Sequence, residues 1–137
     1  MPEGAGVNDR THSVYVINNA NGDLPGTVSV INGATCNGTD TAGCGGHFPA
    51  MPAGRSPVAV TVDTSTGFVY VTDFASAAVS VLNGSRCNAE TAAGCGTAVR
   101  EQPVGSGPQG LALNPRTHTV YVAGVYLPGF LSIFRAA

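Results

Sequence analysis

Apolar residues in this chain cluster in short runs between turn-forming residues. PVAVTVD at 57–63, FVYVTDF at 68–74 and AVSVL at 78–82 are bounded by Gly, Pro, Asn, Asp and Ser, a pattern that predicts short strands joined by tight turns. The Val-Tyr-Val run is bulky on both faces. It therefore suits a sheet covered on both sides by neighbouring sheets better than one half exposed to water.

The pattern repeats. Shifted by 51 places, VSVINGATCNGTDTAGCG lies over VSVLNGSRCNAETAAGCG, and AGRSPVAVTVD over VGSGPQGLALN, with roughly 14 of about 35 positions identical. SVYVINN, FVYVTDF and TVYVAGV form a further element that recurs three times. Each is preceded by a turn signal (NDRTH, DTSTG, NPRTH) and, before that, by a run opening at Pro2, Pro57 or Pro108. One unit thus reads as a run after proline, a turn, a Val-Tyr-Val strand, a variable loop, a Val-Ser-Val strand, a cysteine loop and a last extended piece. That is four antiparallel strands; a period near 50 points to propeller blades or solenoid turns, and four-stranded sheets packed face to face around an axis make a propeller. A β-sandwich accounts for the strands but not for the self-similarity.

The expected fold class is therefore all-β, a single partial β-propeller domain over 1–137. Its blades cover 2–54, 57–105 and 108–135, and the last lacks its outer strand. Closed propellers need about four to eight blades, so two readings stand: a piece of a longer propeller, or copies of the chain that associate to close one.

VYVTD, VSVLN and VGSGPQGLALNP resemble the YVTN repeat of surface-layer-type and YncE-like β-propellers, with V-Y-V-[TS]-N, V-S-V-I-D and P-x-G-V-A-V-x-P in each unit. The resemblance runs from Pro2 to Phe134. It implies a binding or scaffold propeller without chemistry of its own. The cysteine loop between third and fourth strands and the longer loop NANGDLPG in the first unit depart from the family pattern. With no Trp in the chain, neither the WD signature nor the Trp-docked blades of quinoproteins fit.

Composition narrows the field. An apolar content of 43% with 10% charged residues argues for a packed core over disorder. A net charge of −2, with six Arg and no Lys, supplies neither the basic patch of a nucleic-acid binder nor a polybasic membrane-surface run. The apolar runs fall far short of the roughly 20 residues that cross a bilayer, so neither nucleic acid nor membrane insertion is expected. The opening residues MPEGAGVNDR lack the basic start and apolar stretch of a secretory signal. Export is then specified elsewhere, or the natural start is missing.

Four cysteines allow three pairings. Cys36 and Cys44 share one loop, and Cys87 and Cys95 share its copy one unit on, so pairing within each loop needs no long-range coincidence. Zinc would want closely paired ligands or a histidine in the set, and neither loop has one. Two disulfides are expected over a metal site or free thiols, each contributing about 2.5 kcal/mol by loop-closure entropy. They imply an extracellular or cell-surface location.

Other chemistry is sparse. His12 and His118 occupy one turn slot that Gly67 fills in the middle unit, while His47 has Ala98 as its counterpart and no evident partner. Asp9, Asp63 and Asn114 lie at turns where such side chains bond their own backbone. Asn37-Gly-Thr39 and Asn83-Gly-Ser85 match a glycosylation sequon but are first turn dipeptides. There is no nucleophile elbow, phosphate loop, zinc-protease motif or lysine, so no catalytic residue, metal or cofactor is assigned.

The loops between second and third strands, NANGDLPG, DFASA and GVYLPGF, differ in length and content, whereas the cysteine loops are near copies. In a propeller those variable loops and the links between blades surround one end of the axis. The candidate ligand face is therefore Asn18, Asn19, Asp23, Arg55, Asp73, Phe74, Tyr126 and Phe130, its ligand a small molecule or protein of unknown identity. The function expected is a non-catalytic extracellular binding or scaffold module. The alternative is part of a lactonase-like or lyase-like propeller enzyme whose site needs more blades. The inner runs PVAVTVD and PQGLALN argue against it, since they offer the axis mainly small apolar side chains.

Overall fold

A computed structural model describes residues 1–97 and 100–137; Ala98, the counterpart of His47, lies outside them. The described residues form eleven strands and no helix. The first sheet holds β1 (Pro2–Asn8), β2 (Ser13–Asn18), β3 (Pro25–Asn32) and β4 (Ala50–Arg55) in that order. The second repeats it with β5 (Pro57–Val62), β6 (Phe68–Asp73), β7 (Ala78–Asn83) and β8 (Arg100–Pro103). The third contains β9 (Pro108–Asn114), β10 (Thr119–Gly124) and β11 (Phe130–Arg135). All pairing is antiparallel between consecutive strands.

The turns between first and second strands use one device three times. Backbone N–H groups two residues on donate to the side-chain oxygens of Asn8, Asp63 and Asn114. The acceptor in the first turn is thus Asn8, and the expectation that Asp9 fills this role is corrected: Asp9 is one residue too late and points to solvent. Burial opposes ionisation of Asp63, but bonds from Ser65 and Thr66 outweigh it and hold this carboxyl below the usual range. The turn closes in the left-handed region at His12 (φ 54°), Gly67 (φ 82°) and His118 (φ 50°). A shared backbone requirement therefore explains this histidine slot.

Two cores lie between three sheets. Tyr15, Ile17, Val28, Val30, Met51 and Ala53 of the first sheet pack on Val69, Val71 and Leu82 of the second, with Cys87 and Cys95 at the margin. Tyr70, Val79 and Val81, on the opposite face of the second sheet, pack on Val120 and Val122 of the third. Alternation along a strand sends neighbouring residues to opposite faces. Val69 and Val71 thus serve one core and Tyr70 the other, as the bulky Val-Tyr-Val run requires. Each fully buried side chain of this size contributes about 1.5–3 kcal/mol relative to exposure. Gly6 permits β1 to approach β5, since a Cβ there would lie 3.2 Å from Val62 Cγ2. The outward faces of the first and third sheets remain apolar, with Val7, Leu131 and Ile133 exposed by 57, 62 and 59%.

Candidate functional site

The loops after β2, β6 and β10 gather at one end of the sheets with the links between sheets. Ser56 Oγ donates to Gly22 O at 2.7 Å, and Phe74 N to Ser56 O at 2.9 Å. Val125 N donates to Gly107 O at 3.2 Å, and the Phe74 and Tyr126 rings meet edge-on at 5.6 Å. Arg55 is exposed, its Nη2 donating to Ala75 O at 3.2 Å. The structure thus brings Arg55, Phe74 and Tyr126 to one surface, whereas Phe130 packs over Gly105 and Gly124 against the core between the second and third sheets.

The other candidates play different parts. Asp23 is exposed in the long first loop. Asn19 donates to Glu3 Oε1 at 3.0 Å, and its backbone pairs with Met1. Asn18 Nδ2 donates to Ser29 Oγ at 2.7 Å within the first sheet. Asp73, though named with this surface, is fully buried between the first two sheets.

Asp73 belongs to a connection between sheets that sequence reading missed. The Ser80 hydroxyl donates to Asp73 Oδ2 and accepts from Gly54 N at 3.1 Å. At the next junction Gly105 N donates to Ser132 Oγ at 3.3 Å, but Gly124 stands where Asp73 would be and the Phe130 ring fills the space. Asp73 Oδ1 has no partner. Burial pushes this carboxyl up to about 7, against the Ser80 hydrogen bond and with help from Glu101 nearby. A buried carboxyl with a free oxygen is most readily satisfied by a proton. The recurring Ser in V-S-V was the sequence signal for this junction, but its partner Gly54 lies 26 positions away.

Both expected disulfides are present, Cys36–Cys44 and Cys87–Cys95. A groove between their loops, lined by Asn32, His47, Phe48, Asn88, Glu90 and Thr91, gives His47 a setting that the sequence did not reveal. Among the described residues no group of three or more His, Cys, Asp or Glu side chains could hold a metal ion.

No family model and no curated protein sequence matches the chain. Solved structures do. Hydrazine synthase of Kuenenia stuttgartiensis is similar at 18% identity and a TM-score of 0.72, over 98% of this chain and 32% of that one. The nidogen/laminin complex matches at 14% and 0.68, over 98% and 44%. A protein from Lactobacillus plantarum matches at 14% and 0.52, over 99% and 42%. The chain thus spans less than half the length of each, and at these identities the likeness concerns the fold. With three repeated antiparallel sheets stacked face to face, that fold is a run of β-propeller blades, two of four strands and one of three.

Proposed function

We propose that this chain is a non-catalytic binding or scaffold module of the YVTN-repeat kind, working outside the cytosol and completed by further blades or a second copy. The observation that carries the reading is the contrast between the two parts of the candidate end. Phe74 and Tyr126 on variable loops, with Arg55 at the end of β4, form a mixed aromatic and cationic surface, the kind of surface that recognition uses. The strands β5 and β9 behind it carry mainly small apolar side chains. Two disulfides support an oxidising compartment.

Screening the oxidised chain on peptide and glycan arrays tests this. Specific binding that Tyr126→Ala and Arg55→Ala each reduce about tenfold or more supports it, on the scale of an aromatic or Arg anchor. The alternative, a hydrolytic or lyase site shared with other blades, gains nothing from Asp73, whose carboxyl burial raises but which is enclosed between the first two sheets. Turnover of lactone or ester substrates by the oxidised chain would replace the binding reading with that one.

A further inference from the structure

A Ser-Tyr pair on β2 holds the second disulfide loop. Tyr15 Oη donates to Cys87 O at 3.0 Å and to Gly84 O at 3.4 Å, and Ser13 Oγ accepts from Ala89 N at 2.8 Å. Docked in this way, Cys87 is fully buried. The same slots on β6 hold Phe68 and Tyr70, and these face the third sheet, where Tyr70 accepts from Ala137 N at 2.8 Å. On β10 the pair returns as Thr119 and Tyr121. Thr119 Oγ1 donates to Thr117 O at 3.1 Å, as Ser13 Oγ donates to Thr11 O at 3.3 Å. Val120 and Val122 point into the second core, so Thr119 and Tyr121 stand on the opposite face of the third sheet, with Leu131 and Ile133.

The first disulfide loop is built like the docked one. Asn37 N donates to Asp40 O at 2.7 Å where Asn88 N donates to Thr91 O at 2.8 Å. Asn37 Nδ2 reaches Gly33 O at 2.7 Å where Asn88 Nδ2 reaches Gly84 O at 2.9 Å. Yet Cys44 is exposed while its counterpart Cys95 is buried. A hollow beside this loop is lined by Val7, His12, Val14, Gly33, Cys36 and Asn37. Gly67, Val69, Gly84, Cys87 and Asn88 are the repeat counterparts of the last five of these: Gly84 O and Cys87 O bond the Tyr15 hydroxyl, Asn88 Nδ2 bonds Gly84 O, and Gly67 O and Val69 crowd Gly84 together with that hydroxyl.

We propose that the Thr119–Tyr121 face of one copy receives the Cys36–Cys44 loop of a second copy. Tyr121 enters that hollow and donates to Gly33 O and Cys36 O, while Thr119 Oγ1 accepts from Gly38 N. Val7, Val14 and Ile31 on one copy then cover Leu131 and Ile133 on the other. The two surfaces differ, so the association is head-to-tail and closes a ring wherever its rotation permits. The inference rests on the reading of the chain as part of a larger propeller, and names another copy as the partner.

Sedimentation velocity of the oxidised 137-residue chain across micromolar concentrations tests it. Concentration-dependent association is expected, weakened about fivefold by Tyr121→Phe, the scale of one neutral hydrogen bond, and abolished by Ile133→Asp. Both side chains lie outside the two cores, so the melting curve of the dilute chain should stay unchanged in each variant. Hydrogen exchange at Gly38 should slow on association. A chain that stays monomeric throughout overturns the proposal, as does association indifferent to both substitutions. Association that appears only after a further blade is fused behind Arg135 also overturns it, making a covalently linked neighbour the occupant. Array binding by the single chain is read separately, so failure here leaves the ligand-binding reading standing.

Discussion

Oδ2 of Asp73 accepts from the hydroxyl of Ser80 inside the contact between the first and second sheets, and Ser80 in turn accepts from Gly54 N at 3.1 Å. Asp73 is fully buried and its carboxyl is pushed from the usual 3.8 to about 7 by burial, with Glu101 adding to the effect. Because this folded-state value lies above the unfolded one, the native state holds the proton between pH 4 and 7 while the unfolded chain has released it. Stability from this group is full below pH 4 and falls as pH rises through 7. Melting at pH 5 should therefore exceed that at pH 8, by a difference on the order of 2–4 kcal/mol. Asp73→Asn should flatten the profile, and an unchanged slope in that variant would assign the effect elsewhere.

The same junction limits Gly54. A Cβ at this position would lie 2.6 Å from Asp73 Cγ and 2.8 Å from Glu101 Oε1. Gly54→Ala should destabilise by about 1–3 kcal/mol through overpacking, read as a lower urea midpoint with an unchanged slope. A midpoint equal to the parent's would mean that β4 moves away freely.

The two disulfides differ in their surroundings. Cys87 and Cys95 are buried beside Tyr15, while Cys44 is exposed. Under mild reductant, alkylation should label Cys36 and Cys44 before Cys87 and Cys95, as mass spectrometry of peptides can show. Replacing Cys87 and Cys95 by serine should cost more than the loop-closure value of about 2.5 kcal/mol, because the bonds to Tyr15 loosen as well. Replacing Cys36 and Cys44 should cost no more than that value. Equal losses for both pairs would contradict the docking of the second loop.

The left-handed turn slot makes an opposite prediction. His118 has φ 50° and is exposed, and Gly67 holds the same slot at φ 82°. His118→Gly should be neutral or stabilise by up to about 1 kcal/mol, the scale of left-handed strain in a residue with a Cβ. Gly67→Val should destabilise by a larger amount, since its Cβ also meets Ser85 at 3.3 Å. Thermal melts of the two variants moving in the same direction would contradict this account of the slot.

Local patterns made much of the architecture legible. Val-Tyr-Val strands with turn residues between them specify antiparallel pairing of near neighbours, and the 51-residue period marks stacked copies of one sheet. Cysteines eight positions apart specify their own pairing, because the loop between them is too short to separate them far. The tertiary structure decided what depends on residues distant in sequence: that Asp73 is buried by Gly54 and Ser80 instead of lying on the variable surface, and that Asn8 in place of Asp9 caps the first turn. It also decided that two nearly identical disulfide loops have different fates. Cys87 is covered because Tyr15, 72 residues before it, stands on the facing sheet, whereas the first loop stands at the chain's outer face. Sequence repeats record local backbone requirements, but burial is a property of the neighbour across an interface, and that neighbour is chosen by stacking.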